Sequence, residues 1–141
     1  MGIPEEVSAS IPILFITFTG PPQTFSMSLI KRFYRLVALG LEGNLIGLEN
    51  ETLPSHITDL YIIGTEIETL PTKLFDGNSN IQILNLAQDK LRKMLESNLL
   101  QNLKNLRILD VAQNPIEDIF SQCQLNEEFR ELKSLDYLTL N

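Results

Sequence analysis

Leu106-Arg-Ile-Leu109-Asp-Val111-Ala-Gln-Asn114-Pro-Ile116 places aliphatic side chains at its first, fourth, sixth and eleventh positions and an asparagine at its ninth. The same spacing recurs at Leu36, Leu39, Leu41, Asn44 and Ile46, at Ile57, Leu60, Ile62, Thr65 and Ile67, and at Ile81, Leu84, Leu86, Asp89 and Leu91. A degenerate copy, Ile11, Leu14, Ile16 and Thr19, precedes these, and Leu135, Leu138 and Leu140 open another. The starts at 11, 36, 57, 81, 106 and 135 are separated by 25, 21, 24, 25 and 29 residues. Self-similarity at such a period marks a chain built from stacked supersecondary units.

Side chains alternate along a β-strand, so the fourth and sixth positions of each copy share a face. Leu39 with Leu41, Leu84 with Leu86, and Leu109 with Val111 therefore point to one interior. A single copy cannot enclose that face. Neighbours must stack, and stacking at about 4.8 Å per strand builds a parallel sheet. The spacing predicts six short parallel strands centred near 13–15, 38–40, 59–61, 83–85, 108–110 and 137–139.

The pattern L-x-x-L-x-L-x-x-N-x-L resembles the strand-and-turn half of a leucine-rich repeat. That resemblance implies an α/β fold: a right-handed solenoid with a parallel sheet on its concave side and short helices or turns on its convex side. It also implies one domain over residues 1–141, with five to six repeats and both ends truncated. Asn44 and Asn114 become structural amides that satisfy backbone groups where the chain leaves the sheet. Thr65 and Asp89 lack the amide donor, so the ladder should be less regular there.

The segments between strands differ in character. Phe25, Leu29, Ile30 and Phe33 predict a short helix within residues 24–35, capped by Thr24 or Ser26. Leu95, Leu99 and Leu103 predict one within 93–105, and Leu125, Phe129 and Leu132 one within 124–134. Leu53-Pro54 and Leu70-Pro71 read as extended or tight-turn returns. Lys31, Arg32 and Arg35 read as a solvated face.

Composition narrows the function classes. Eighteen acidic against 11 basic residues give a net charge of −7, which offers no electrostatic support for nucleic-acid or anionic-membrane binding. The apolar run Ile11 to Phe18 is interrupted by Pro12 and preceded by Glu5 and Glu6, unlike a signal peptide, and no run approaches the length of a membrane span. The single cysteine, Cys123, excludes an internal disulfide, and no cofactor, metal or nucleophile signature occurs. His56 has no orienting carboxylate or nucleophile at a useful spacing.

What remains is a non-catalytic protein-binding module, or else a structural segment of a larger receptor or scaffold. The binding residues expected on the concave face are Phe15, Glu42, Asp59, Tyr61, Ile63, Asn85, Asp110 and Tyr137. Tyr61 and Ile63 supply an apolar anchor, and Glu42, Asp59 and Asp110 an acidic rim suited to a locally basic protein partner. Asn50-Glu51-Thr52 is a sequon on a return segment, a glycan acceptor in a secreted protein. The irregular repeats and the Leu-Pro-x-x-x-Phe return are similar to animal extracellular and receptor-ectodomain proteins, while the lack of disulfides also suits a cytosolic adaptor. The apolar first strand predicts edge-to-edge self-association.

Overall fold

Six strands lie in one sheet in chain order: β1 (Ile13–Phe25), β2 (Ala38–Leu48), β3 (Asp59–Ile63), β4 (Ile83–Asn85), β5 (Ile108–Asp110) and β6 (Tyr137–Thr139). Every neighbouring pair is parallel. The structure, a computed structural model, describes residues 2–78, 80–92, 99–100, 102–115 and 132–140. All six strands cover the expected centres.

The register explains the core. Leu14, Leu39, Leu60, Leu84, Leu109 and Leu138 are aligned across the sheet, so the fourth motif positions form one column. Leu41, Ile62, Leu86 and Val111, the sixth positions, are all buried behind it. The first positions Leu36, Ile57, Ile81 and Leu106 are wholly buried as well. Phe25, Phe33, Leu53, Leu74, Phe75, Leu100 and Leu103 close the opposite wall of the same core. Burying a leucine or isoleucine this fully is worth about 1.5–3 kcal/mol relative to exposure, so the repeated columns are the main source of cohesion.

The first return differs from the helix expected of it. The only helix among the described residues is a 3-10 turn at Met27–Ile30, and β1 runs through Phe25 where the helix was expected to begin. The physical reason is a period of three. Met27, Ile30, Phe33 and Leu36 are all buried, and Phe33 N–H donates to the Ile30 carbonyl and Leu36 N–H to the Phe33 carbonyl. Side chains three apart eclipse on 3-10 turns, whereas an α-helix would rotate them off the core. Leu100, Leu103 and Leu106 repeat this pattern with the same bonds. Ser26 is the cap, its hydroxyl accepting from Ser28 N–H at 3.2 Å. Most of the helices expected within 93–105 and 124–134, together with Leu95, Cys123, Leu125, Phe129, Ile116 and Asn141, lie outside the described residues.

A second difference concerns the first two repeats. β1 and β2 continue past the ninth motif position and pair as far as Phe25 and Leu48, with register shifts on either side of Gln23. Asn44 is therefore exposed on a running strand, its amide donating to the Gly20 carbonyl of β1, and is not at a turn. The continued strand turns Leu45 into the core and leaves Ile46 48% exposed, the reverse of the motif assignment. Phe18 and Phe25 meet edge to face at 5.8 Å inside this extension.

The eighth motif position carries a left-handed backbone in four repeats: Gly43, Gly64, Gln88 and Gln113 have φ of 92°, 68°, 61° and 58°. Glycine adopts that conformation freely, and glutamine does so at a cost. Gly43 is required for a further reason, since a Cβ there would overlap the Phe18 carbonyl.

Candidate functional site

The residues between the inward columns face out from the sheet and form three aligned rows. The first is Ile13, Ala38, Asp59, Ile83, Ile108 and Tyr137, and the second Phe15, Gly40, Tyr61, Asn85, Asp110 and Thr139. The third contains Thr17, Glu42 and Ile63. Strand spacing fixes the whole face at about 24 Å across.

Phe15 is 60% exposed and Ile13 57%, while Gly40 between Phe15 and Tyr61 is buried. The Phe15 ring lies across Gly40: a Cβ on that glycine would overlap ring carbons Cδ1 and Cε1. Phe15 thereby reaches Tyr61 two strands away, with ring centroids 5.7 Å apart and planes inclined by 34°. Such tilted pairs are favourable by about 0.5–1.5 kcal/mol beyond area burial.

Carboxylates stand on both sides of this pair. Glu42 accepts a 2.7 Å hydrogen bond from the Thr17 hydroxyl, and Asp59 one of 3.1 Å from the Thr58 hydroxyl. Partial burial and then the Asp59 charge push the Tyr61 phenol above its ordinary value, so Asp59 acts electrostatically on the ring beside it. The fold thus brings Phe15, Glu42, Asp59, Tyr61 and Ile63 onto one patch. Asn85 and Asp110 sit further along the same row and are half-buried, each accepting from the backbone N–H two residues on, at 3.1 and 2.9 Å. Part of each side chain is therefore committed to its own turn. Tyr137 is 71% exposed at the far side of the sheet.

Sequence reasoning missed Ile13, Ile83 and Ile108, which share the first row with Asp59 and Tyr137. The signal was available: the third motif position has the same parity as the fifth and seventh, so it must face outward with them. It also missed Arg32. Far from being merely solvated, its guanidinium donates to the Pro4 and Val7 carbonyls at 2.7 and 2.8 Å and lies 4.2 Å from the Phe33 ring centre, tying the N-terminal segment to the body. His56 places Nδ1 2.7 Å from the Leu36 carbonyl, which makes that nitrogen a donor and the ring a structural tie.

At the turn after β5, Asn114 Nδ2 donates to the carbonyls of Leu86, Val111 and Ala112, and its Oδ1 accepts from Leu91 N–H. At the turn after β4, Asp89 Oδ1 accepts from the Thr65 N–H and hydroxyl at 2.8 and 2.7 Å, and Oδ2 has no hydrogen-bond partner among the described residues. Burial pushes the Asp89 carboxyl up to about 6 against the pull of the Thr65 bonds.

Among the described residues no three His, Cys, Asp or Glu side chains are grouped to hold a metal ion, and no helix is long and apolar enough to cross a membrane. Residues 55–116 match the leucine rich repeat family. The chain is also 30% identical over 89 residues, 62% of its length, to Toll-like receptor 9 of Mus musculus. It spans about 9% of that relative's length.

Proposed function

We propose, from the premise that this chain is a leucine-rich repeat protein, that its outward sheet face is a non-catalytic binding surface for a protein partner. The observation that carries this reading is the row arrangement. The six-stranded sheet presents large apolar side chains from β1, β5 and β6, Ile13, Phe15, Ile108 and Tyr137, to solvent on one face, together with the carboxylates of Glu42, Asp59 and Asp110. Exposed aromatic and aliphatic groups rimmed by charge are the composition of protein interfaces, and the acidic rim favours a locally basic partner. The same rim repels phosphates, which argues against nucleic acid. Among the described residues only Oδ1 of Asn85 and of Asp110 is engaged, which leaves the Asn85 amide nitrogen and the second Asp110 oxygen for a ligand.

Site-specific photo-crosslinking tests the reading. A benzophenone side chain at Ile108 or Tyr137 should capture discrete protein adducts that one at Lys73, on the return between β3 and β4, does not. Equal capture from both places overturns it.

The likeness to a receptor supports placing the chain in an extracellular or ectodomain setting, where Asn50 would be a glycan acceptor. Asn50 is exposed two residues beyond the end of β2, beside a groove of about 580 Å³ lined by Ile46, Glu66, Glu68 and Pro71. A second reading, a structural segment of a longer repeat protein, is supported by the small share of the relative that the chain spans. In either setting the outer edge of β1, at one end of the strand order among the described residues, would be a place for self-association, which sedimentation of Ile13→Lys against the unaltered chain would detect.

A further inference from the structure

We propose that Phe15, Gly40 and Tyr61 form a seat for one arginine side chain of the protein partner, its guanidinium lying on the paired rings between Glu42 and Asp59. The inference rests on the reading of the outward face as a binding surface and names what one part of it recognises.

Three observations converge on this patch. First, in-register alignment puts Phe15, Gly40 and Tyr61 on adjacent strands, and the absent side chain at Gly40 lets Phe15 fold across β2 and join its ring to Tyr61. Two strand intervals separate the two residues' backbones by about 9.6 Å, yet their ring centres are only 5.7 Å apart. The result is an aromatic platform wider than either ring. Second, the residues two positions along on each side are acidic: Glu42 follows Gly40 on β2, and Asp59 precedes Tyr61 on β3. Both carboxylates are steadied by threonine hydroxyls, and neither forms an ion pair among the described residues. Third, three of the chain's arginines are engaged elsewhere. Arg32 is held by carbonyls, Arg35 lies near the Tyr34 ring and Arg107 pairs with Asp136.

An aromatic face attracts a cation through its quadrupole, and carboxylates at the platform's edges add a hydrogen-bonding fork. Arginine fits this better than lysine. Its planar guanidinium stacks on rings while presenting N–H groups sideways to carboxylates, and it is more weakly hydrated than an ammonium. A lipid or nucleic-acid phosphate would meet the same two carboxylates with the wrong sign.

Aromatic NMR of the full chain titrated with acetyl-Gly-Gly-Arg-Gly-Gly-amide tests the seat, with the isosteric, uncharged citrulline peptide as control. The arginine peptide should shift the ring resonances of Phe15 and Tyr61 and bind about two- to fivefold tighter than its control. Gly40→Ala keeps both rings and both charges but swings Phe15 off Tyr61, and it should erase that difference. Glu42→Gln with Asp59→Asn should shrink it. A citrulline peptide that binds equally well, a lysine peptide as tight as the arginine one, or a folded Gly40→Ala chain that binds normally overturns the proposal. Crosslinking from Ile108 and Tyr137 separates the two failures: if that still favours the outward face, the arginine seat alone is wrong, and if it does not, the binding-face reading is wrong with it.

Discussion

The turn leaving β5 is held by the amide of Asn114, and the turn leaving β4, at the same motif position 25 residues earlier, by the carboxylate of Asp89. Asn114 has both a donor and an acceptor, and it uses both: three carbonyls receive its Nδ2 and one N–H reaches its Oδ1. Asp89 has only acceptors when ionised. Thr65 fills one of them with two donors, and the second oxygen is buried without a partner among the described residues. The preceding residues are alike, since Gln88 and Gln113 share the left-handed backbone. The difference teaches that the turn's shape comes from the backbone, whereas its cost depends on whether the side chain beneath can donate as well as accept.

The largest effect should come from the layer behind both turns. Leu84→Ala and Leu109→Ala should each destabilise by about 3–5 kcal/mol, because both side chains are fully buried in one column and the stacked strands cannot collapse into the gap. Asp110→Ala beside Leu109 loses one exposed-side acceptor bond and should cost about 1 kcal/mol. Urea midpoints equal for Leu109→Ala and Asp110→Ala would mean that the two faces are reversed. Next in size is Asn114→Asp, which removes the donor to three carbonyls and should cost about 2–3 kcal/mol at neutral pH.

The opposite exchange, Asp89→Asn, should stabilise. The rise of the Asp89 carboxyl from 3.8 to about 6 sets a ceiling of about 3 kcal/mol, and solvent relaxation reduces the expected gain to about 1–2 kcal/mol at pH 7. The sign follows from proton binding. Below about 4 the carboxyl is protonated in both states; between about 4 and 6 the folded chain holds a proton that the unfolded chain has lost. Asp89's contribution to stability is therefore greatest at low pH and is lost as pH rises through about 6. Denaturation of the unaltered chain and of Asp89→Asn across pH 4–7 should differ most at the upper end, and parallel curves would remove the carboxylate as the weak point. The smallest effect is expected of Gln88→Gly and Gln113→Gly. Each relieves a left-handed residue while adding backbone freedom, for a net gain of at most about 1 kcal/mol.

The sequence by itself determined the repeat register. Aliphatic side chains at the first, fourth and sixth positions can be buried together only if each copy is a strand stacked on the next, and every inward column follows from that alternation. It also determined the outward rows, because parity along a strand is fixed once the core face is chosen. Period-three spacing at Met27, Ile30, Phe33 and Leu36 was in the sequence too, but it resembles a helical stripe over so short a span. Only the tertiary structure decided how far β1 and β2 run, and so that Leu45 points inward and Ile46 outward, because that depends on the pairing of the two strands across Gly20 and Gly43. It alone decided that Arg32 holds the carbonyls of Pro4 and Val7, that Asp89 lies beneath Thr65, and that Phe15 crosses a glycine to reach Tyr61. Each of these joins residues 24 to 46 positions apart or depends on the space left by a third, and local spacing carries no record of what a neighbouring strand leaves empty.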